Sequence, residues 1–153
     1  SYVYTGDEIM ADIQDGLINA LWTRLTTDST LKTLTSNPVR LYHVWAIADA
    51  AFPYLVHRLE LRSAGNHNIE PEGTYLVDIW TYSPSQQSAL NIKERIMTLI
   101  DNYKSTTAQT TDYRLWWQTD TFVPETVQGI NHLAMQFNLK YLKDADVGAT
   151  LYR

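Results

Sequence analysis

Apolar residues recur at helical spacing over residues 8 to 26: Ile9, Ile13, Leu17, Leu21 and Leu25 fall four apart, and Met10, Ile18 and Trp22 widen the stripe. One face is therefore apolar at a period of about 3.6, which predicts an amphipathic helix. Asp7 is its expected N-cap, and the acidic residues of the first turn suit the positive end of the helix dipole. From Thr26 to Pro38 the chain collects Thr, Ser, Asn and Asp around Leu31 and Leu34, which predicts a loop with one short helical turn.

The period then changes to two. Val39 to Ala46, with β-branched and aromatic residues, reads as a strand, and Ile47 to Phe52 as a connecting segment. From Pro53 to Ser63 the chain alternates, with Leu55, Leu59 and Leu61 on one side and Arg58, Glu60 and Arg62 on the other. A polar tip over residues 64–73 separates this strand from the next, Thr74 to Tyr82, so the two form a hairpin with an extended loop. Ser83-Pro84-Ser85-Gln86 carries the marks of a helix start: Ser at the cap, Pro at the first helical position and Gln three residues on. The helix predicted from there to about Tyr103 buries Ala89, Ile92, Ile96, Leu99, Ile100 and Tyr103. Lys104 to Thr111 is a Thr-rich loop, Asp112 to Phe122 a strand, and Gly129 to Leu142 another, in which Leu133, Met135, Phe137, Leu139 and Tyr141 alternate with polar residues.

The order is α-β-β-β-α-β-β, an α+β plan in which two amphipathic helices cover one face of a sheet that is antiparallel, with a mixed sheet also allowed. Residues 1–153 are expected to form one domain, with an N-terminal arm at 1–8, the hairpin tip at 64–73 and a C-terminal tail at 143–153. No solenoid repeat or low-complexity segment interrupts it.

Composition narrows the function. With 153 residues, 44% of them hydrophobic and 19% charged, the chain buries a core without a structural metal. It contains no cysteine, which excludes disulfides, a cysteine nucleophile and thiolate metal sites. It has no apolar run of transmembrane length and no signal-peptide pattern, so a soluble, unexported protein without a membrane partner is expected. The net charge is −5, and Asp7, Glu8, Asp12 and Asp15 precede the first basic residue, Arg24. Phosphate-backbone binding needs the opposite sign. A mildly acidic wall past which DNA slides without specific binding is compatible with that charge, and so is ordinary solubility.

Candidate chemistry is sparse. His43, His57 and His132 lie in predicted strands, but no Gly-x-Ser-x-Gly elbow, Walker loop or dinucleotide glycine loop accompanies them. No residue is assigned as catalytic, cofactor-binding or metal-binding. Within the tip, His67 with Glu70 and Glu72 lacks a third ligand at fixed spacing. The aromatic residues are more informative. If Val77 and Ile79 face the helices, Trp80 faces away, and the adjacent Trp116 and Trp117 must point to opposite sides. Two helices bury one side of a sheet, so surplus aromatics on the other suggest a subunit interface, for which Trp80, Tyr82 and Trp116 are the expected residues. The tip, with Asn66, His67, Asn68, Ile69, Glu70 and Glu72, is the expected docking arm. Tyr2-Val3-Tyr4 is a short segment able to add to a sheet edge.

The run Asp12-Ile-Gln-Asp-Gly-Leu-Ile-Asn-Ala-Leu-Trp-Thr-Arg-Leu-Thr-Thr-Asp28, then Val39-Arg-Leu-Tyr-His-Val-Trp, Ala51-Phe-Pro-Tyr-Leu-Val56 and Asp78-Ile-Trp-Thr-Tyr-Ser83 with its following helix, resembles the tail terminator and tail-completion proteins of long-tailed phages. The likeness spans roughly residues 10 to 142 and rests on order and spacing together. It implies a small structural protein that forms a ring, commonly a hexamer, on the last ring of the tail tube, ends tube polymerisation and presents a joint to the head connector. The implied partners are other copies of the chain, the tail tube protein and the connector protein, with DNA passing through the hole. The implied location is the tail-neck region of the virion, after assembly in the host cytoplasm, and neither a cofactor nor catalysis is implied. Two other classes remain: a partner-binding or chaperone-like module that takes a peptide at a sheet edge, and a small hydrolase with a polar pocket around His57 or His132.

Overall fold

The computed structural model describes residues 6–62, 72–107 and 110–143. Three helices, α1 (Gly6–Thr26), α2 (Ser29–Leu34) and α3 (Gln87–Ile100), accompany six strands: β1 (Leu41–His43), β2 (Tyr54–Leu61), β3 (Glu72–Tyr82), β4 (Lys104–Ser105), β5 (Thr110–Val123) and β6 (Ile130–Lys143). The strands make one sheet in the order β1-β2-β3-β6-β5-β4. β1 and β2 are parallel and every other pair is antiparallel, so the α+β plan holds with a mixed sheet.

Alternation decides which face is covered. Leu55 and Leu59 of β2, Tyr75, Val77 and Ile79 of β3, and Leu133 through Tyr141 at odd positions of β6 are all buried. They pack with Ile13, Leu17, Leu21 and Leu25 of α1 and with Ala89, Ile92, Ile96 and Ile100 of α3 in one cluster. The helix spacings of four and the strand spacing of two thus converge on a single layer. Arg24 locks the two long helices: its Nε donates to the Leu99 carbonyl at 3.0 Å and its guanidinium lies 4.1 Å from the Tyr103 ring centre. Gln14 reaches from α1 to the Leu59 carbonyl of β2 at 2.9 Å.

Three expectations are corrected. The strand expected over Val39 to Ala46 shrinks to Leu41–His43, because Val44 takes a left-handed backbone (φ 69°) that ends the strand. The short helical turn expected after α1, by contrast, is present as a six-residue helix, which forms because Asp28 caps it, accepting the Leu31 N–H at 2.7 Å and pairing with Arg95 at 2.6 Å. The helix start expected at Ser83-Pro84 is displaced to Gln87. Ser83 follows the end of β3, its N–H bonded to the Gly129 carbonyl and its own carbonyl accepting from Asn131, and the chain bends from Ser83 to Ser85, whose Oγ accepts the Gln87 N–H. Asp7 lies inside α1, which begins at Gly6. In addition, Lys104–Ser105, expected in a loop, pairs with β5 as a two-residue strand.

A β-bulge between Trp117 and Thr119 reverses the facing of β5. Before it, Tyr113 and Leu115 point to the helices; after it, Asp120 and Phe122 do, with Asp120 meeting Lys93 of α3 at 3.1 Å. The expected tip residues Asn66, His67, Asn68, Ile69 and Glu70, the Tyr2-Val3-Tyr4 segment and the tail beyond 143 lie outside the described residues; Glu72 opens β3.

Candidate functional site

Both long helices pack on one side of the sheet, so its other side is a surface without a second layer among the described residues. At the end where β2 starts and β3 stops, register places Tyr54 beside Trp80 and Trp80 beside His132. The three rings form a row: Tyr54 and Trp80 are parallel to within 11° with centres 5.9 Å apart, and Trp80 and His132 are stacked at 3.8 Å. Phe52 closes the row from the loop before β2, 5.3 Å from Tyr54 and 5.9 Å from Tyr82. Cross-strand aromatic contacts of this kind stabilise a sheet by about 0.5–1.5 kcal/mol each beyond area burial.

His132 ends the row between two carboxylates. Its Nδ1 is hydrogen-bonded to Glu125 Oε1 at 3.2 Å, and its Nε2 stands 3.3 Å from Asp78 Oδ1, off the line a hydrogen bond requires. Burial disfavours the imidazolium, but the contacts with Asp78 and Glu125 outweigh it and raise the His132 pKa above its usual value. Burial, then the Glu125 and Tyr42 charges, raises that of Tyr54.

The opposite end of the same face carries charge. Arg114 and Lys140 lie directly across from one another, with Asp112 3.7 Å from Arg114 and 3.8 Å from Lys104. Asp112, Arg114, Lys140 and Trp116 border an open hollow of about 240 Å³. Trp116 pairs with Asn138, six residues along β6 from His132, which separates it from the Trp80 row by about 20 Å.

The three expected interface residues therefore divide. Trp80 and Tyr82 share one end of the open face and Trp116 sits at the other. Trp80 is half-buried by its own chain, whereas Tyr82 is 64% exposed. Trp117, the other member of the tandem, points to the helix side but stays 41% exposed beyond the end of α3, its N–H donating to Asp101.

Sequence reasoning missed several exposed apolar residues. Trp45 (81% exposed) and Ile47 lie in the loop after β1, Val123 ends β5, and Val127 lies in the turn between β5 and β6. The only sequence signal for the first pair was an apolar run with no alternation, which reads equally as strand. His57 is buried on the helix side, 2.6 Å from the Tyr75 hydroxyl, and burial followed by the nearby His43 lowers its pKa to about 4. Among the described residues no group of three or more His, Asp or Glu side chains could hold a metal ion, and no helix is long and apolar enough to cross a membrane.

No family model and no curated protein matches the sequence. Solved structures do match the fold. A chain in the virion of a native gene transfer agent particle superposes with a TM-score of 0.68 at 11% identity, covering 85% of this chain and 96% of that one. This fold also occurs in a virion particle. A second solved structure gives a TM-score of 0.62 at 14% identity, over 84% of this chain and 94% of its own.

Proposed function

We propose that this chain is a structural protein of a phage or phage-like particle, which assembles as a ring on the end of the tail tube, stops tube growth and makes the joint to the head connector. The observation that carries the reading is the one-sided sheet: at one end of its uncovered face Tyr82, Val123 and Val127 remain exposed, and Trp45 and Ile47 stand out in the loop after β1. Exposed aromatic and aliphatic side chains at this density mark surfaces that other proteins cover. The shared fold with a chain of a virion particle supports the particle context. The order of sequence features along residues 10 to 142 supports the tail terminator role.

A ring requires a heterologous contact, in which one surface of a subunit meets a different surface of the next. The aromatic end and the Arg114–Lys140 end are chemically unlike and about 26 Å apart along β6, which suits them to different neighbours: another copy at one, the tube or connector protein at the other. The residues assigned to packing are Tyr82, with the half-buried Trp80 on the same face, and Trp45 of the loop after β1, with Trp116 belonging to the second surface. The net charge of −5 suits a hole through which DNA passes without binding. Cells producing the particles without this chain test the reading: tails of uncontrolled length, or heads without tails, are expected in electron micrographs. Normal particles of normal tail length would refute it.

A further inference from the structure

His132 occupies a position that its neutral forms do not satisfy. A neutral imidazole carries one N–H and one bare lone pair. If the proton sits on Nδ1, it donates to Glu125, and the bare Nε2 faces Asp78 Oδ1 at 3.3 Å; if it sits on Nε2, the bare Nδ1 faces Glu125 Oε1 at 3.2 Å. Either tautomer sets a lone pair against a carboxylate. Only the imidazolium is attracted to both, through the Nδ1 hydrogen bond to Glu125 and the ion pair with Asp78, and its charge also lies against the Trp80 ring, 3.8 Å between centres, where a cation over an indole face is favourable.

The two carboxylates differ in freedom. Asp78 is fixed in β3, which is paired on both sides, by β2 and β6. Glu125 lies in the turn at residues 124–129, whose far end is tied down by the Ser83 N–H to the Gly129 carbonyl at 2.8 Å, while the near end meets the sheet face through Glu125. When the imidazolium loses its proton, the fixed Asp78 carboxylate cannot retreat from a bare Nε2, so the remaining proton stays on Nε2 beside it, and Glu125, left facing the bare Nδ1, is the partner able to leave.

We propose that His132 is a charge-operated latch: as the imidazolium it holds the near half of the 124–129 turn against the open face, and as the neutral ring it releases it. The groups that set its charge are Asp78 from β3, Glu125 from the turn and, beyond Trp80, the Tyr54 hydroxyl of β2; its partner on β5, Val123, and the neighbouring Gln86 carry no charge. Release changes the surface at Val127 and Val123 beside Tyr82, so the protonation state of one side chain sets the shape of the exposed apolar end. The latch acts within one chain and does not depend on the assembly reading.

The isolated protein tests it by nuclear magnetic resonance between pH 6 and 9, following the His132 ring signals and the amide exchange of Ile130, whose N–H donates to the Val127 carbonyl within the turn at 3.3 Å, corrected for intrinsic pH dependence. The wild type is expected to show exchange that rises severalfold with a midpoint equal to that of the His132 ring. Glu125→Gln should exchange at the released rate throughout and lower the His132 midpoint, while amides of β3 keep their protection in both proteins. His132→Gln should also remain released, showing that loss of the carboxylate is not the sole cause. Turn exchange that does not follow the His132 midpoint, or that is the same in wild type and Glu125→Gln, would overturn the latch.

Discussion

Acid should weaken the fold through one side chain, His57. Its ring is buried on the helix side of β2 against the Tyr75 hydroxyl, itself fully buried, and burial with the His43 charge holds its pKa at about 4 against the usual 6.5. The folded state thus refuses a proton that the unfolded chain accepts. His57 contributes nothing adverse above pH 6.5, where both states are neutral, and its cost grows as pH falls from 6.5 to about 4. At about 1.36 kcal/mol per pH unit the loss is about 2 kcal/mol between pH 7 and 5 and about 3 kcal/mol by pH 4. His132 acts with the opposite sign: its raised pKa stabilises below 6.5 and that contribution disappears as pH rises through the folded value. Urea denaturation at pH 7, 6, 5 and 4 of the wild type and of His57→Gln, whose amide oxygen can still accept from Tyr75, isolates the effect, because every other titrating group is common to both. The wild type should lose about 2–3 kcal/mol more than the variant over that range. Parallel pH profiles would show that His57 takes up its proton in the folded state and refute the reasoning.

Other substitutions have signs fixed by their contacts. Asp28→Ala removes both the cap of α2 and the bidentate partner of Arg95, and should cost about 2–3 kcal/mol in denaturant melts at pH 7. Its pKa is lowered chiefly by the Arg95 hydrogen bond, so that contribution is complete above pH 3.8 and is lost as pH falls below it. Gly73→Ala would place a Cβ 2.6 Å from the Glu60 carbonyl oxygen, forcing β2 and β3 apart, and should lower stability by about 1–3 kcal/mol, checked by thermal melting. Tyr82→Ala and Trp80→Ala separate assembly from folding: the first should leave stability within about 0.5 kcal/mol and abolish joining of tails, whereas the second, which empties a stacked row, should lower stability by about 1–3 kcal/mol as well.

Most of the architecture was legible wherever periodicity was long. The stripe Ala89, Ile92, Ile96, Leu99 and Ile100 and the alternation of β6 both specify one buried face unambiguously, and both are buried as expected. Short elements escaped because tertiary contacts set their limits. β1 ends at a left-handed Val44 and α3 starts late because Gly129 and Asn131 tie Ser83 to the start of β6, two features that no local pattern records. Alternation placed Trp116 and Trp117 on opposite sides, but the bulge between Trp117 and Thr119 moves the second half of β5 out of phase, so it could not place Asp120 and Phe122. Of the expected interface, the facing of Trp80 followed from Val77 and Ile79, but its neighbours did not: Tyr54 and His132 reach it only through strand register. His57 shares the parity of Leu55 and Leu59 and so was placeable on the core side, although histidine gave no apolar signal there.

The central claim is that the exposed end of the uncovered sheet face is covered by neighbours in the particle. Hydroxyl-radical footprinting of the free chain and of the chain in intact particles measures this directly. Oxidation of Tyr82 and Trp45 should fall strongly on incorporation while Trp22, exposed on the outer side of α1, changes little. Equal oxidation of Tyr82 and Trp45 in both states would contradict the account.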